Sequence, residues 1–243
     1  MAVVPAGAPL RNRLLSALPD DVARRLGAQL QPIDLPLGTV LCEPGAIPGY
    51  LYFPVDAVVS LLCALESGAC AETAVVGNEG AVGVALFLGG GSTPSRAVVQ
   101  VAGSALRLPG TALRAEFGRH GALMRVLLRY TQALLAQTAQ TALCNRHHTI
   151  DQQLCRWLLL SLDRLPDDSL SMTQELIANM LGVRREGVSE AAGKLQRLAV
   201  IEYRRGQITV RDRGRLQALS CECYAVVRRE YERLLDDAAL RGA

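Results

Sequence analysis

The stretch "MLGVRREGVSEAAGKL", Met180–Leu195, decides the fold of this chain. Val188, Ala191, Ala192 and Leu195 recur at three- and four-residue steps, while Arg185, Glu186, Ser189, Glu190 and Gly193 fall on the opposite side. That period predicts a helix of about three turns with one thin buried stripe. Arg184 and Arg185 stand at its start, where the macrodipole disfavours positive charge, so they call for an anion in front of them. Just upstream, Gly182 permits the left-handed conformation that ends a preceding helix and turns the chain sharply. In that preceding helix Ser171 or Thr173 is the expected cap, Glu175 suits the positive end, and Ile177, Met180 and Leu181 share a face. Val183 is expected in the angle between the two, and Ala178 and Ala192 are small enough for a close crossing.

Two short helices joined at a glycine, the second with a charged outer face, predict a helix-turn-helix whose second helix enters the DNA major groove. Arginine can make two parallel hydrogen bonds to guanine, whereas glutamate only accepts, for example from the cytosine amino group. Glu186 held beside phosphates is repelled unless it finds such a donor, which favours base reading over backbone adhesion. The plainer alternative is a solvated face on which Glu190 pairs with Lys194. The next segment, "VIEYRRGQITV", alternates on both sides of a glycine-containing turn and predicts a two-stranded wing with Arg204 and Arg205 near its tip. From Arg184 to Arg215, nine basic residues (Arg184, Arg185, Lys194, Arg197, Arg204, Arg205, Arg211, Arg213, Arg215) face four acidic ones (Glu186, Glu190, Glu202, Asp212). The whole chain carries only +3, so positive charge is concentrated where phosphate contacts would need it.

Upstream, from about Leu35 to Leu108, the short apolar runs "TVLC", "YLYFPV", "VVSLLCAL", "AETAVV", "AVVQVA" and "ALRLP" alternate with turn residues. That spacing predicts an antiparallel β sandwich or barrel. Pro36-Leu37-Gly38 and Pro44-Gly45 mark turns. Before it, "LLSALPDDVARRLGAQL" reads as one or two short helices. Beyond Pro109 a long helix is expected over about Leu123 to Asn145, with Met124, Leu127, Thr131, Leu134, Thr138, Thr141 and Asn145 forming a heptad seam. The seam either pairs two copies or packs on the chain's own barrel. A further helix, "IDQQLCRWLLLSLDRL", buries Leu154, Trp157, Leu158 and Ser161 or Leu162. A final amphipathic helix is expected from about Arg213 to Leu240.

With 243 residues, half of them apolar, the chain can bury a substantial core. Arginine supplies 25 of its 26 basic residues, the side chain that forks onto phosphates and base edges. No apolar run approaches the length of a membrane span and "MAVVPAGAPLRNR" lacks a signal-peptide pattern, so a cytoplasmic protein is expected, with no membrane partner. The seven cysteines form an odd set, read as reduced, buried thiols. The pairs Cys144/His148 and Cys221/Cys223 could ligate metal, but neither has a second pair at zinc-like spacing, so no metal or cofactor is expected. No Ser/His/Asp set, paired carboxylates or metal triad points to an enzyme.

The order of parts, and "MTQELIANMLGVRREGVSEAAGKLQRLAVI" above all, resembles the Crp/Fnr transcription regulators over nearly the whole chain. The resemblance implies an α+β fold: an antiparallel, jelly-roll-like β-roll sensor domain at 1–109, a linker and dimerisation helix at 110–148, and a winged helix-turn-helix at 149–243. By it Arg185, Glu186 and Glu190 occupy base-contacting places, Ser189 lies beside them and Thr173 touches phosphate, with Arg184, Arg204 and Arg205 completing the DNA surface. Glu190 stands where the cyclic-AMP branch normally has arginine, which sets its operator apart. Implied partners are double-stranded DNA bearing an inverted repeat, a second copy of the chain, RNA polymerase where the regulator activates, and a small-molecule effector. In the family's ligand pocket Gly83 matches, but Val84 replaces the ribose-binding glutamate and Ser95-Arg96 inverts the usual order, so cyclic AMP is not the expected effector. The oxygen-sensing branch's N-terminal cysteine cluster is absent, since none precedes Cys42, and no haem ligand is evident in the barrel. The alternative is a sensor module that acts through protein partners.

Overall fold

The structure, a computed structural model, describes residues 11–236. Two short helices, α1 (Arg13–Ser16) and α2 (Asp20–Gly27), precede strands β1 (Gln31–Leu35), β2 (Val40–Cys42), β3 (Tyr50–Pro54), β4 (Val58–Ala64) and β5 (Cys70–Val76). A single turn of helix, α3 (Ala85–Leu88), leads to β6 (Arg96–Val101) and β7 (Gly103–Pro109), then α4 (Gly110–Phe117) and the long α5 (Ala122–His147). The C-terminal part contains α6 (Ile150–Leu162), β8 (Ser169–Ser171), α7 (Gln174–Leu181), α8 (Arg185–Arg197), β9 (Ile201–Arg204), β10 (Gln207–Val210), α9 (Arg213–Leu219) and α10 (Glu222–Leu235). Among the described residues no helix is long and apolar enough to cross a membrane.

The six apolar runs of the sequence all became strands, and the roll is built from antiparallel sheets in the orders β1-β7-β3 and β2-β6-β4-β5. β1 begins four residues before the expected start: Pro32 and Asp34 face outward along it, so its sequence carries almost no apolar run, and its pairing with β7 fixes it instead. Two compact units result, residues 11–61 with 76–136 and 230–236, and residues 62–75 with 137–229. In the first, Phe53, Leu51, Leu108 and Leu113 are fully buried, and Asn12 bridges the Pro54 and Gly80 carbonyls at 2.9 Å each. Tyr130 is buried there too and donates to the Ala81 carbonyl at 2.9 Å. In the second unit, the single tryptophan, Trp157, donates to Glu72 at 3.0 Å, and the Gln137 amide pairs with the Val75 backbone.

Along the long helix most of the expected seam is covered within the chain, the second of the two readings that the sequence left open. Leu127, Thr131, Leu134 and Thr141 are buried within the chain, while Met124 and Thr138 are half-buried and Asn145 is exposed. A three-and-four period marks a face to be covered without saying what covers it. Here the chain covers that face itself. A different line is exposed: Leu128 at 44%, Leu135 at 64% and Leu143 at 51%, with Gln132, Ala139 and Ala142 between them.

Two further expectations change. The wing has three strands in the order β8-β10-β9, because Ser169–Ser171 pairs with β10. The expected final helix is two helices, broken where Ser220 turns extended (ψ 163°), and its part beyond Asp236 lies outside the described residues.

Candidate nucleic-acid interface

α6 starts with a capping box: Thr149 accepts from the Gln152 amide and Gln152 reaches back to the Thr149 amide, satisfying two otherwise orphaned donors. Its buried face carries Leu154, Trp157, Leu158 and Leu162, and it supports both helices of the motif that follows. Thr173 caps α7, accepting from the Leu176 amide at 3.3 Å. Its hydroxyl is exposed but occupied in holding the first turn.

Gly182 ends α7 in the left-handed region at φ +67°, and a Cβ there would stand 3.1 Å from the Ala71 Cβ. Conformation and space therefore both require glycine. The Val183 amide closes the turn on the Ala178 carbonyl at 3.0 Å. α8 then begins with Arg184 as an N-cap that makes no side-chain cap, leaving its guanidinium free to project. Val188, Ala191, Ala192 and Leu195 are buried as the spacing predicts. Arg184, Arg185, Glu186 and Glu190 are exposed and make no ion pair among the described residues.

Partners far away in sequence alter the readings of Ser189 and Lys194 and give Gly187 a packing role. Ser189 is not a free donor: its hydroxyl bonds Gln174 Oε1 at 2.5 Å, tying α8 to α7. Lys194 pairs with Asp151 on α6 instead of with Glu190, and this hydrogen bond raises the Lys194 pKa. Gly187 received no role from the sequence, yet a Cβ on it would stand 2.7 Å from Ile150 Cδ1, so its hydrogen leaves room for that side chain of α6.

β9 and β10 are joined by Arg205 (φ +52°) and Gly206 (φ +79°), with Arg204 opposite Gln207. Two successive positive φ values make the mirror-image two-residue turn that matches strand twist. The expected arginines therefore sit at the wing's tip, exposed and without an ion pair among the described residues. An open cleft of about 280 Å³ lies beside them, lined by Glu202, Arg204, Arg205, Gln207, Thr209 and Arg211. Arg211 is held by Glu202, whose carboxyl that hydrogen bond keeps below its ordinary pKa, and Arg213 is held by Asp163 and Asp168. Of the nine basic residues counted in the sequence, Lys194, Arg211 and Arg213 are committed to carboxylates and Arg215 donates to the Leu198 carbonyl at 2.9 Å, while Arg184 and Arg185 stand at the start of α8, Arg197 at its end, and Arg204 and Arg205 at the wing tip.

The proposed ligand residues are arranged differently. Gly83 presses on the Tyr50 carbonyl, where a Cβ would come within 2.9 Å, and Val84 precedes the four-residue α3. Ser95 leads into β6, its amide bonded to the Thr93 hydroxyl at 3.2 Å. Arg96 points outward, with Ala97 buried behind it, and binds Glu43 through Nε (3.0 Å) and Nη2 (3.1 Å). The inverted Ser-Arg order has placed the arginine on the outer face, as strand alternation dictates.

The structure thus combines a helix-turn-helix and a three-stranded wing with an antiparallel roll and a long helix. Residues 152–219 match the Crp-like helix-turn-helix domain. The fold is shared with a Crp/Fnr-family transcriptional regulator from Eubacterium rectale, at 15% identity over 85% of this chain and 96% of that one, TM-score 0.66. It is shared with FixK2 of Bradyrhizobium japonicum at 19% identity over 79% and 98% of the two chains, TM-score 0.66. CLP, a c-di-GMP-responsive global regulator of Xanthomonas campestris, aligns at 16% identity over 79% and 99%, TM-score 0.65. No curated protein matches the chain in sequence.

Proposed function

We propose that the chain is a sequence-specific, DNA-binding transcription regulator of the Crp/Fnr type, acting in the cytoplasm as a homodimer on an inverted-repeat operator, and not an enzyme. The observation that carries this is the exposed set Arg184, Arg185, Glu186 and Glu190 on the first turns of α8, which with Arg204 and Arg205 on the wing makes no ion pair among the described residues. Arg185, Glu186 and Glu190 would read base edges. Arg184, Arg204, Arg205 and Thr173 would meet phosphates, and Ser189 would set the pitch of α8 through Gln174. The working division is a β-roll sensor at 1–109, a dimerisation helix within 110–148 and a DNA-binding part at 149–243. As an activator it would also touch RNA polymerase.

The exposed line Leu128, Leu135, Ala139, Ala142 and Leu143 has the heptad spacing that a second copy of α5 would cover. Any effector of the roll would act by preferring one packing of the long helices and so shifting its population. Cyclic AMP is not that effector: Val84 cannot accept from a ribose, and Arg96 is already paired with Glu43.

The test is selection of binding sites from random duplexes with the full chain, followed by titration at several salt concentrations. An enriched palindrome, with affinity falling steeply as salt rises, is expected. Binding without sequence preference, or none, would favour a sensor that works through protein partners.

A further inference from the structure

The two ligand pairs that the sequence leaves incomplete lie together in the fold. Cys144 sits on the last turn of α5 and His148 just beyond it, while Cys221 and Cys223 sit at the break between α9 and α10. The Cys144 and Cys221 sulfurs are 3.6 Å apart across 77 residues of chain. Cys223 Sγ is 3.4 Å from His148 Nδ1, and all four ligand atoms lie within 4.8 Å of one another. We propose that Cys144, His148, Cys221 and Cys223 form a structural zinc site, in which four side chains close the coordination shell of one divalent, thiophilic cation.

The distances suit a metal better than a cross-link. Tetrahedral zinc, with bonds of roughly 2.3 Å to sulfur and 2.0–2.1 Å to nitrogen, sets sulfur–sulfur edges of about 3.8 Å and sulfur–nitrogen edges of about 3.5 Å. The 3.6 and 3.4 Å contacts are edges of that size, whereas a disulfide would require about 2.05 Å. Three soft sulfurs and one imidazole select zinc over the hard cations. With all four positions supplied by the chain, none is open to substrate, so the role is to brace the fold.

The surroundings are built for the same purpose. The imidazole's other nitrogen, Nε2, lies 3.3 Å from the Glu222 carboxylate, the outer-shell partner that orients a ligating histidine and fixes its tautomer. Gln140 Nε2 donates to Cys223 Sγ at 3.1 Å. Charge also balances: three thiolates and a dication leave one net negative charge. Arg156 is buried at 3% exposure, holds only Thr141 through Nη1 (3.1 Å) and pairs with no carboxylate among the described residues. Thr141 stands one helical turn before Cys144 on α5, so the metal-loaded cluster would supply the counter-ion that a buried guanidinium needs. Metal binding would thereby lock the end of α5 and the turn into α6 to the α9–α10 break. The site stands on its own geometry and does not depend on DNA binding.

The test uses the full chain, purified in reductant, stripped with chelator and titrated anaerobically with Co²⁺. Expected are the near-ultraviolet thiolate-to-cobalt charge-transfer band and the strong visible bands of four-coordinate cobalt, saturating at one equivalent per chain and bleached by Zn²⁺. Cys63→Ser, at an exposed position outside the cluster, should leave the spectrum unchanged. Cys221→Ser and Cys223→Ser should each reduce the charge-transfer intensity. His148→Gln, whose side chain is only half-buried, should keep that intensity while weakening binding at least about tenfold. Zinc should raise the Tm of the wild-type chain and not that of the double variant Cys144→Ser/Cys221→Ser, compared at matched circular dichroism. No thiolate–cobalt band, a band insensitive to the Cys221 and Cys223 substitutions, or a Cys144–Cys221 disulfide in place of metal uptake would overturn the proposal.

Discussion

At the scale of single residues, what faces outward on α8 was predictable because helical period alone separates Val188, Ala191, Ala192 and Leu195 from Arg185, Glu186 and Glu190. We expect Arg185→Ala to weaken binding to the selected operator by about 1–3 kcal/mol while leaving non-specific binding nearly unchanged, measured by titration against specific and scrambled duplexes. Glu186→Gln should relax base preference instead, since the amide can donate as well as accept. Ser189 behaves differently: tied to Gln174 at 2.5 Å, it should affect operator affinity only through the pitch of α8. Gly182→Ala is expected to lower stability by about 1–2 kcal/mol from the left-handed backbone alone, with further loss against Ala71, read as a shift in the denaturant midpoint. The partners that changed these roles, Gln174 for Ser189 and Asp151 for Lys194, lie 15 and 43 residues away. No periodicity reports a contact of that kind. Sequence could show which side chains leave the helix, but not which of them are already engaged.

At the scale of elements, strands were legible where alternation and turn chemistry agreed, as in the roll and in β9–β10. They were not legible where an element is defined only by its neighbour. β8 has three residues and no apolar pattern of its own, and it is a strand because β10 pairs with it. The break between α9 and α10 has neither glycine nor proline to mark it; Ser220 ends one helix and the chain restarts at Glu222. That unmarked break brings Cys221 and Cys223 to Cys144, so the sequence could show two half-sites and not their meeting. The wing carries its own prediction. Because Arg204 ends β9 and Arg205 lies in the two-residue turn that follows, and neither makes an ion pair among the described residues, each can neutralise a phosphate. Replacing either with glutamine should lower the slope of log affinity against log salt by about 0.9, equally for specific and scrambled DNA. An unchanged slope would mean the wing tip does not touch the duplex.

At the scale of the whole molecule, α5 shows why a repeat in sequence and an interface between copies are different things. The regular line from Leu127 through Thr131 and Leu134 to Thr141 is buried within the chain. The exposed line, through Leu128, Leu135 and Leu143, is less regular and contains Gln132, Ala139 and Ala142. Leucine at 64% exposure in the middle of a long helix is costly to leave in water, and a two-fold pairing of α5 would cover it on both copies at once. Small residues at 139 and 142 would let the helices approach closely toward the C-terminal end. In such a pairing Leu135→Glu places like charges opposite one another on that line, so the variant should sediment as a monomer where the unsubstituted chain sediments as a dimer, with circular dichroism unchanged because the residue contributes little to the core. The same variant separates reading a base from reading a palindrome. A dimer presents two recognition helices about 34–36 Å apart and binds half-sites one helical turn apart, so its affinity depends on their spacing. The monomer should still prefer the half-site sequence through Arg185 and Glu186, while losing its dependence on spacing and much of its affinity for the full repeat. A monomeric Leu135→Glu variant that kept the spacing preference would show that two-fold pairing arises elsewhere on the chain, and a variant that stayed dimeric would remove this face of α5 from the interface.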